Sequence, residues 1–385
     1  MFRAFTGNRQ IDLQLNRFMG PHLGDTRVAS EVVAVAPHLV DGDAVTREFE
    51  ALARAHEAEG EASLASSCYG LAAFHLPLSD PHKRELIDGF RRCFREGWTS
   101  SPIEWLEVPF AGHSLPAAHM GASSGDAPEH PRTLVVFGGF DSYLEEVLGF
   151  VSTMGPVPFD IVAFDGPGQG TALLRGVKLM NAWERPVGAV LDHLGIDSCA
   201  ALGMSFGGYL VMRAAAFEPR IERVVAMDVM YRLLDALTAP LPSPVGAAVG
   251  ASLRHCPDAL VDAVVSRAAH GNLDLSWKLR QASDLTGLDT PHEVLRMLSR
   301  FSMEGLFPLI RQDCLLLAGE DDQYVPFRRL QDVERGLVNA ASVSTYPFTR
   351  AENPGAAQHC QAGDMPLAFG VIREWLEPWA WAPRQ

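Results

Sequence analysis

Ser205 stands in Gly203-Met204-Ser205-Phe206-Gly207, between the apolar run 200–202 and the helix-like stretch Gly208-Tyr209-Leu210-Val211-Met212-Arg213-Ala214-Ala215. A serine on a sharp strand-to-helix turn, with glycine two positions to either side, has the setting of a nucleophile. The turn strains the serine backbone, the glycines let neighbouring backbone pass without a Cβ, and the hydroxyl stands clear of the sheet. A serine hydroxyl is a poor nucleophile near neutral pH, so it needs a base within hydrogen-bond reach and an acid that orients the base. With the chain order nucleophile, acid, base, the acid is sought after the run 314–318, in Gly319-Glu320-Asp321-Asp322-Gln323-Tyr324-Val325-Pro326. Asp322, just past the strand end and shortly before Val325-Pro326, is the expected acid. Glu320 and Asp321 are its rivals, each otherwise a solvated turn carboxylate. His359, in Gln358-His359-Cys360-Gln361, is the only histidine after Asp322 and is the expected base.

Acyl chemistry also needs donors aimed at the oxygen on which charge develops. The backbone N–H of Phe206, directly after the nucleophile, is one. The other is expected from Phe137-Gly138-Gly139-Phe140-Asp141-Ser142, where paired glycines allow close backbone approach; the Phe140 N–H is preferred and that of Gly139 is the alternative. Ser142-Tyr143-Leu144-Glu145 has the spacing of a capping box for the helix that follows. Asp165-Gly166-Pro167-Gly168-Gln169-Gly170 does not fit G-x-G-x-x-G, and Pro167 interrupts the N–H donors of a phosphate cradle, so a tight turn is expected there. The remaining histidines form no H-E-x-x-H and no tight pair on a helix face, so neither a metal nor a cofactor is expected. Asp228, after Met227, is a candidate for orienting substrate hydroxyls, with a turn or cap role as its plainer explanation. Phe140, Tyr143, Met204 and Phe206, with Trp277, Met297 and Phe301 further along, suit a small apolar or aromatic ketone or ester. Tyr143 and Trp277 join Asp228 as candidate substrate-binding residues.

Such groups must be held by a rigid frame. Residues 133–137, 159–164, 200–202, 223–227 and 314–318 are short apolar runs, several separated by helical stretches. That alternation predicts an α/β fold with a mostly parallel sheet covered by helices on both faces. Residues 103–110 and 115–120 read as an entry hairpin. Residues 1–100 read as a helical N-terminal segment, with helical spacing at 43–54, 63–75 and 80–94. Residues 101–230 and 310–385 form the two parts of the core. Residues 231–309 lose the strand rhythm; helices are expected at 258–269 and 291–301, and the segment reads as a cap over the carboxyl ends of the strands. Apolar residues make up 47% of the 385, enough for a sizeable core, and the formal net charge of −15 excludes a nucleic-acid partner. Six cysteines lie scattered without C-x-x-C spacing, as inert thiols in a reducing compartment do. The N-terminus has no charged-then-apolar signal pattern and no stretch is long and apolar enough to span a bilayer, so a cytoplasmic protein without a membrane partner is expected.

Gly138-Gly139-Phe140-Asp141 with Glu145-Glu146, Phe164-Asp165-Gly166-Pro167-Gly168-Gln169-Gly170, the Ser205 turn, Gly319-Glu320-Asp321-Asp322 and Gln358-His359-Cys360-Gln361 together resemble one branch of the α/β-hydrolases. That branch contains the 2,6-dihydroxypseudooxynicotine hydrolase of nicotine breakdown and the fungal pigment hydrolases that shorten a naphthopyrone side chain. Residues 48–75 and Ser302-Met303-Glu304-Gly305-Leu306 are also similar, so the likeness spans most of the chain. The resemblance implies a serine hydrolase that cleaves a carbon–carbon bond beside a ketone, in an acyl-aryl or β-diketone substrate. It implies Ser205, His359 and Asp322 as the triad, an N-terminal helical region that helps to enclose the site, and a homodimer. A carboxylesterase, a lactonase or a peptidase-like hydrolase would use the same triad, as would a biosynthetic enzyme running a non-hydrolytic step. A non-catalytic binding protein on this fold normally lacks a triad member, and here all three are present.

Overall fold

Extended segments that are apolar on both faces are satisfied only between two covering layers, and the chain after residue 130 follows that rule. The computed structural model describes residues 1–239, 253 and 255–382. Of the Pro-, Ala- and Gly-rich stretch 236–251, residues 240–251 lie outside the described residues. Two compact units are present: Met1–Ser100 with Asp262–Asp284, and Ser101–Val261 with Leu285–Gln385.

The second unit is built on an eight-stranded sheet in the order β1-β2-β4-β3-β5-β6-β7-β8. The strands are β1 (Glu104–Phe110), β2 (His113–Met120), β3 (Thr133–Phe137), β4 (Asp160–Phe164), β5 (Cys199–Met204), β6 (Ile221–Met227), β7 (Asp313–Gly319) and β8 (Ser342–Phe348). β1 and β2 form an antiparallel hairpin across Ala111-Gly112, both at positive φ (49° and 81°), as a two-residue hairpin turn demands. β2 runs antiparallel to β4, and every later pairing is parallel. Each parallel step needs a crossover, supplied for example by helices Leu144–Ser152, Glu184–Leu194 and Phe206–Ala215. Every residue of the central β5 is buried, whereas edge strand β8 is only partly covered and tolerates Pro347. The fold is thus the α/β-hydrolase arrangement, with the mostly parallel sheet that the alternating runs predict.

Parallel register decides what the carboxyl ends of the strands deliver. Met204 pairs with Met227, and Met227 with Leu317. Ser205 and Asp228 therefore leave β5 and β6 at the same level, and the 320–322 turn leaves β7 beside them. The turn after β3 flanks β5 on its other side, because Phe137 pairs with Gly203.

The helical unit owes its elements to their first turns. Asn8, Asp25, Asp41 and Asp80 each accept backbone N–H groups at the starts of helices Arg9–Met19, Thr26–Val35, Gly42–Ala58 and Pro81–Gly97. Such caps are worth about 1 kcal/mol each. Helix Ala62–Phe74 has no polar stripe and is buried along nearly its whole length. Lys83 Nζ donates to the carbonyls of Ala73, in its last turn, and of Leu76, just beyond its end. Trp277, on helix Leu273–Thr286, stacks its ring on Phe74 at 4.5 Å and donates its Nε1–H to the Phe74 carbonyl. Segment 231–309 is accordingly shared between the two units.

The capping box expected at Ser142 is not formed. Helix Leu144–Ser152 starts from Tyr143 without a side-chain cap, and Ser142 Oγ accepts the Gly139 N–H at 3.2 Å. The turn after β3 is the reason: it is so tight that a Cβ on Gly138 would sit 2.4 Å from the Ser142 Cβ. The hydroxyl is drawn back onto the turn before the helix begins.

Candidate active site

Ser205 adopts φ 59°, ψ −123°, between the end of β5 and helix Phe206–Ala215. Side-chain-bearing residues avoid this region, and it persists where surrounding structure over-determines it. Gly203 and Gly207 supply that room: a Cβ on Gly203 would lie 1.9 Å from the Gly207 carbonyl oxygen, and one on Gly207 would lie 2.6 Å from that of Gly138. The Ser205 N–H donates to the Met227 carbonyl and its own carbonyl accepts from Gly208 N–H, each at 2.8 Å. The backbone is pinned while the side chain is left to do chemistry.

Ser205 Oγ lies 2.8 Å from His359 Nε2, and His359 Nδ1 lies 2.7 Å from Asp322 Oδ2. The other oxygen of Asp322 accepts the N–H groups of Tyr324 (2.7 Å) and Val325 (2.9 Å), which aims the carboxylate at the imidazole. Asp322's two rivals turn elsewhere. Glu320 accepts the Arg350 N–H at 2.8 Å, and Asp321 pairs with the Arg350 guanidinium at 2.8 Å. The loop before His359 is tied to the end of β7, with Asp321 N–H donating to the Ala357 carbonyl at 2.7 Å. The Tyr324 ring meets the imidazole edge-on, 4.8 Å between centroids.

Burial alone would push the His359 pKa down, but Asp322, Cys360 and Asp228 around the ring overcome it and hold the imidazole well above its ordinary value. Asp228 is fully buried. It accepts the Cys360 N–H and the Gln361 Nε2–H (2.8 Å), and its Oδ2 lies 3.3 Å from His359 Nδ1. Burial, then the neighbouring Asp322 charge, pushes its carboxyl up to about 6. Burial likewise pushes the Cys360 thiol up to about 11. Among the described residues, Ser205, Asp228, Cys360 and Gln361 are four of the five non-glycine positions at positive φ, the fifth being the hairpin residue Ala111. Backbone strain is concentrated at this one place. Asp228, His359 and Cys360 bring one donor atom each within 4.8 Å of the others. Both ring nitrogens of His359 are engaged in hydrogen bonds, Nε2 with Ser205 and Nδ1 with Asp322.

The turn after β3 passes directly over the elbow: a Cβ on Gly139 would lie 2.9 Å from Ser205 Cβ and 3.0 Å from Phe206 N. Because Ser142 Oγ takes the Gly139 N–H, Phe140 stays the preferred second donor beside Phe206. Phe140 and Tyr143 are half-buried on this turn, while the buried Phe206 ring packs against Tyr209 and Phe301 at 5.9 and 5.3 Å. Trp277, the remaining candidate, lies in the helical unit on Phe74.

Sequence reasoning gave Gln169 no role beyond a tight turn. Its buried amide bridges two strand ends: Nε2 donates to the carbonyls of Gly138 (2.6 Å) and Gly139 (3.1 Å), and Oε1 accepts the Gly166 N–H at 3.1 Å. The amide on the β4 turn therefore sets the attitude of the β3 turn. Gln169→Leu keeps the bulk and strands all three partners. It is expected to lower stability by about 1–3 kcal/mol. Turnover is expected to fall about tenfold, a fraction of the loss when an oxyanion donor is removed outright. Thermal melts and steady-state kinetics check the two effects.

No family model matches the chain. Two fungal proteins are similar along nearly their whole lengths. Hydrolase LUC6 of a Fusarium species is 27% identical over 95% of this chain and 96% of its own length. The 20-hydroxy-prefusarin hydrolase FUS2 of Gibberella moniliformis is 26% identical over 94% and 92%. Among solved structures, the 2,6-dihydroxy-pseudo-oxynicotine hydrolase aligns with a TM-score of 0.65 at 18% identity, covering 96% of this chain and 95% of its own. AbyA5 aligns at 0.67 and 19%, covering 96% and 94%. At such identities the structural likeness speaks for the fold. LUC6, FUS2 and the 2,6-dihydroxy-pseudo-oxynicotine hydrolase are hydrolases by name, and they support the branch that the motifs resemble.

Proposed function

Since this chain is an enzyme of the α/β-hydrolase fold, we propose that it is a serine hydrolase cleaving a carbon–carbon bond next to a ketone in a small acyl-aryl or β-diketone molecule. One observation carries the reading: an unbroken hydrogen-bonded line from Ser205 Oγ through His359 to Asp322, at 2.8 and 2.7 Å. Choice of a carbon–carbon bond rests on the resemblance to the branch that contains the 2,6-dihydroxypseudooxynicotine hydrolase.

Ser205 Oγ attacks the ketone carbon as His359 Nε2 takes its proton, and Asp322 holds the imidazole with Nδ1 protonated. The tetrahedral oxyanion is received by the N–H groups of Phe206 and Phe140. Collapse breaks the bond to the neighbouring carbon, which leaves with the electron pair, stabilised by an adjacent carbonyl or hydroxylated ring, and is protonated by His359. Water, deprotonated by the same imidazole, then attacks the acyl-serine and releases a carboxylic acid. One water is consumed per bond cleaved, and the enzyme returns unchanged. Phe140 and Tyr143, on the turn that supplies the oxyanion donor, are our choice for the substrate wall. A homodimer in a reducing cytoplasm accords with this reading; the six cysteines are all free thiols.

The test is product mass analysis on a matched hydroxyaryl β-diketone and aryl ester, each also run with Ser205→Ala. Acid released from the diketone and lost in the variant supports carbon–carbon hydrolysis. Cleavage of the ester alone makes the protein a carboxylesterase, and no reaction with either removes the proposal. The pH profile follows from the electrostatics. His359 must be neutral to act as base, and its pKa is held above the ordinary value of about 6.5. Activity should therefore keep rising with pH beyond the range where a free imidazole has already lost its proton. An acid limb of kcat/KM at or below the ordinary histidine value would contradict this.

A further inference from the structure

We propose that Asp228 is a second acid of the relay: a positioning residue that shares the Nδ1 side of His359 with Asp322 and braces the turn that carries the imidazole. The inference rests on the reading of Ser205, His359 and Asp322 given above, and it assigns a role to a residue that reading does not use.

Geometry is the first argument. Asp228 leaves β6 between β5 and β7, so it stands between the strand ends that deliver Ser205 and Asp322, and its carboxylate reaches His359. Its Oδ2 is 3.3 Å from Nδ1 of His359, where Asp322 Oδ2 is at 2.7 Å. Both carboxylates thus face the same ring nitrogen, and Nε2 is left to Ser205. The second argument is the arrangement of its remaining partners. The Cys360 N–H and the Gln361 amide, which Asp228 takes up, both belong to the turn 359–361. Cys360 and Gln361 sit at φ 49°, and Asp228 itself at φ 60°. Three consecutive-turn and strand-end residues held in a disfavoured backbone region need something to hold them, and the carboxylate is the common point. Third, Asp228 is 0% exposed, and a buried carboxylate is tolerated only when donors surround it. Backbone room is made by Gly208, where a Cβ would lie 2.6 Å from the Asp228 carbonyl oxygen. The charged or titratable groups facing Asp228 are Asp322, His359 and Cys360.

A triad with one acid loses about 10⁴-fold when that acid becomes an amide, because the imidazole then takes the wrong tautomer. Here Asp228 remains on the same nitrogen and keeps the proton there. Asp322→Asn is therefore expected to lose no more than about 10²-fold in kcat, against that single-acid value. Asp228→Asn should lose about tenfold and move the acid limb of kcat/KM to lower pH, since a negative neighbour of the base is gone. The double variant should fall by more than the product of the two, because each acid covers for the other.

Histidine-labelled NMR of Asp322→Asn decides the matter without any substrate and leaves the Asp228 brace intact. A retained Nδ1–H tautomer of His359 supports the proposal. A switch to the Nε2–H tautomer overturns it. So does a full 10⁴-fold loss in Asp322→Asn with an unmoved acid limb in Asp228→Asn. If the wild-type protein turns over neither test substrate, the hydrolase reading fails by itself, and the tautomer still reports on Asp228.

Discussion

Alanine in place of Ser205 is expected to lower kcat by about 10⁶-fold, the scale of losing a triad nucleophile, while the fold stays intact. The backbone of residue 205 keeps both its hydrogen bonds, to the Met227 carbonyl and from the Gly208 N–H, whatever its side chain. Only Oγ is lost, and with it the partner of His359 Nε2 at 2.8 Å. Oxyanion donors and binding surface survive, so a residual rate about 10³–10⁴-fold above water should remain. Glycine at the same position separates chemistry from strain. The conformation at φ 59°, ψ −123° costs a residue with a Cβ about 1–3 kcal/mol, and glycine escapes it. Ser205→Gly should therefore be as inactive as Ser205→Ala yet melt at a higher temperature. Coincident melts for the two variants would show that the elbow stores no strain.

The second large effect is on stability. Gly203→Ala places a Cβ 1.9 Å from the Gly207 carbonyl oxygen and 2.4 Å from its carbon. Those are backbone atoms of the elbow, so no rotamer change can relieve the clash. Overpacking of side chains costs about 1–3 kcal/mol, and a backbone collision should exceed that range. Gly370 is the matched control. It lies inside helix Met365–Trp381, and a Cβ there meets nothing within 4 Å. Gly370→Ala should stabilise the protein by about 0.5–1 kcal/mol through lost freedom of the unfolded chain. Denaturant melts of opposite sign are the expected result. A Gly203→Ala protein as stable as wild type would mean that strand β5 and its helix are not packed through the elbow as described.

Much of this architecture could be read from local pattern. The parallel strands announce themselves because burial on both faces leaves near-continuous apolar runs, and the Ser205 turn announces itself by its two glycines. Asp322 is different. It stands in a row of three carboxylates, where its place shortly before Val325-Pro326 ranks it first but does not show where its rivals turn. What separates them is Arg350, which engages Glu320 and Asp321 from 30 or so positions away, and the Tyr324 and Val325 N–H groups that turn Asp322 inward. Gln169 and Asp228 were harder still. Their partners at Gly138 and Gln361 are 31 and 133 residues distant, and burial of a polar side chain leaves no periodic trace. At Ser142 a local rule failed outright, because a tight turn offered the hydroxyl a nearer donor than the helix. The helix containing Trp277 falls between the two helices expected in segment 231–309, and the stacking of Trp277 on Phe74 is a long-range fact.

Spacing along the chain has a consequence for synthesis. Ser205 and His359, the proposed nucleophile and base, are 154 residues apart, with Asp322 between them and His359 beyond the last strand. At about 5–20 residues per second, a ribosome needs roughly 8 to 30 s to pass from one to the other. During that interval the nascent chain carries a serine with no base to activate it. On the proposed triad, the relay is incomplete until the residues beyond the final strand have emerged and reached the serine.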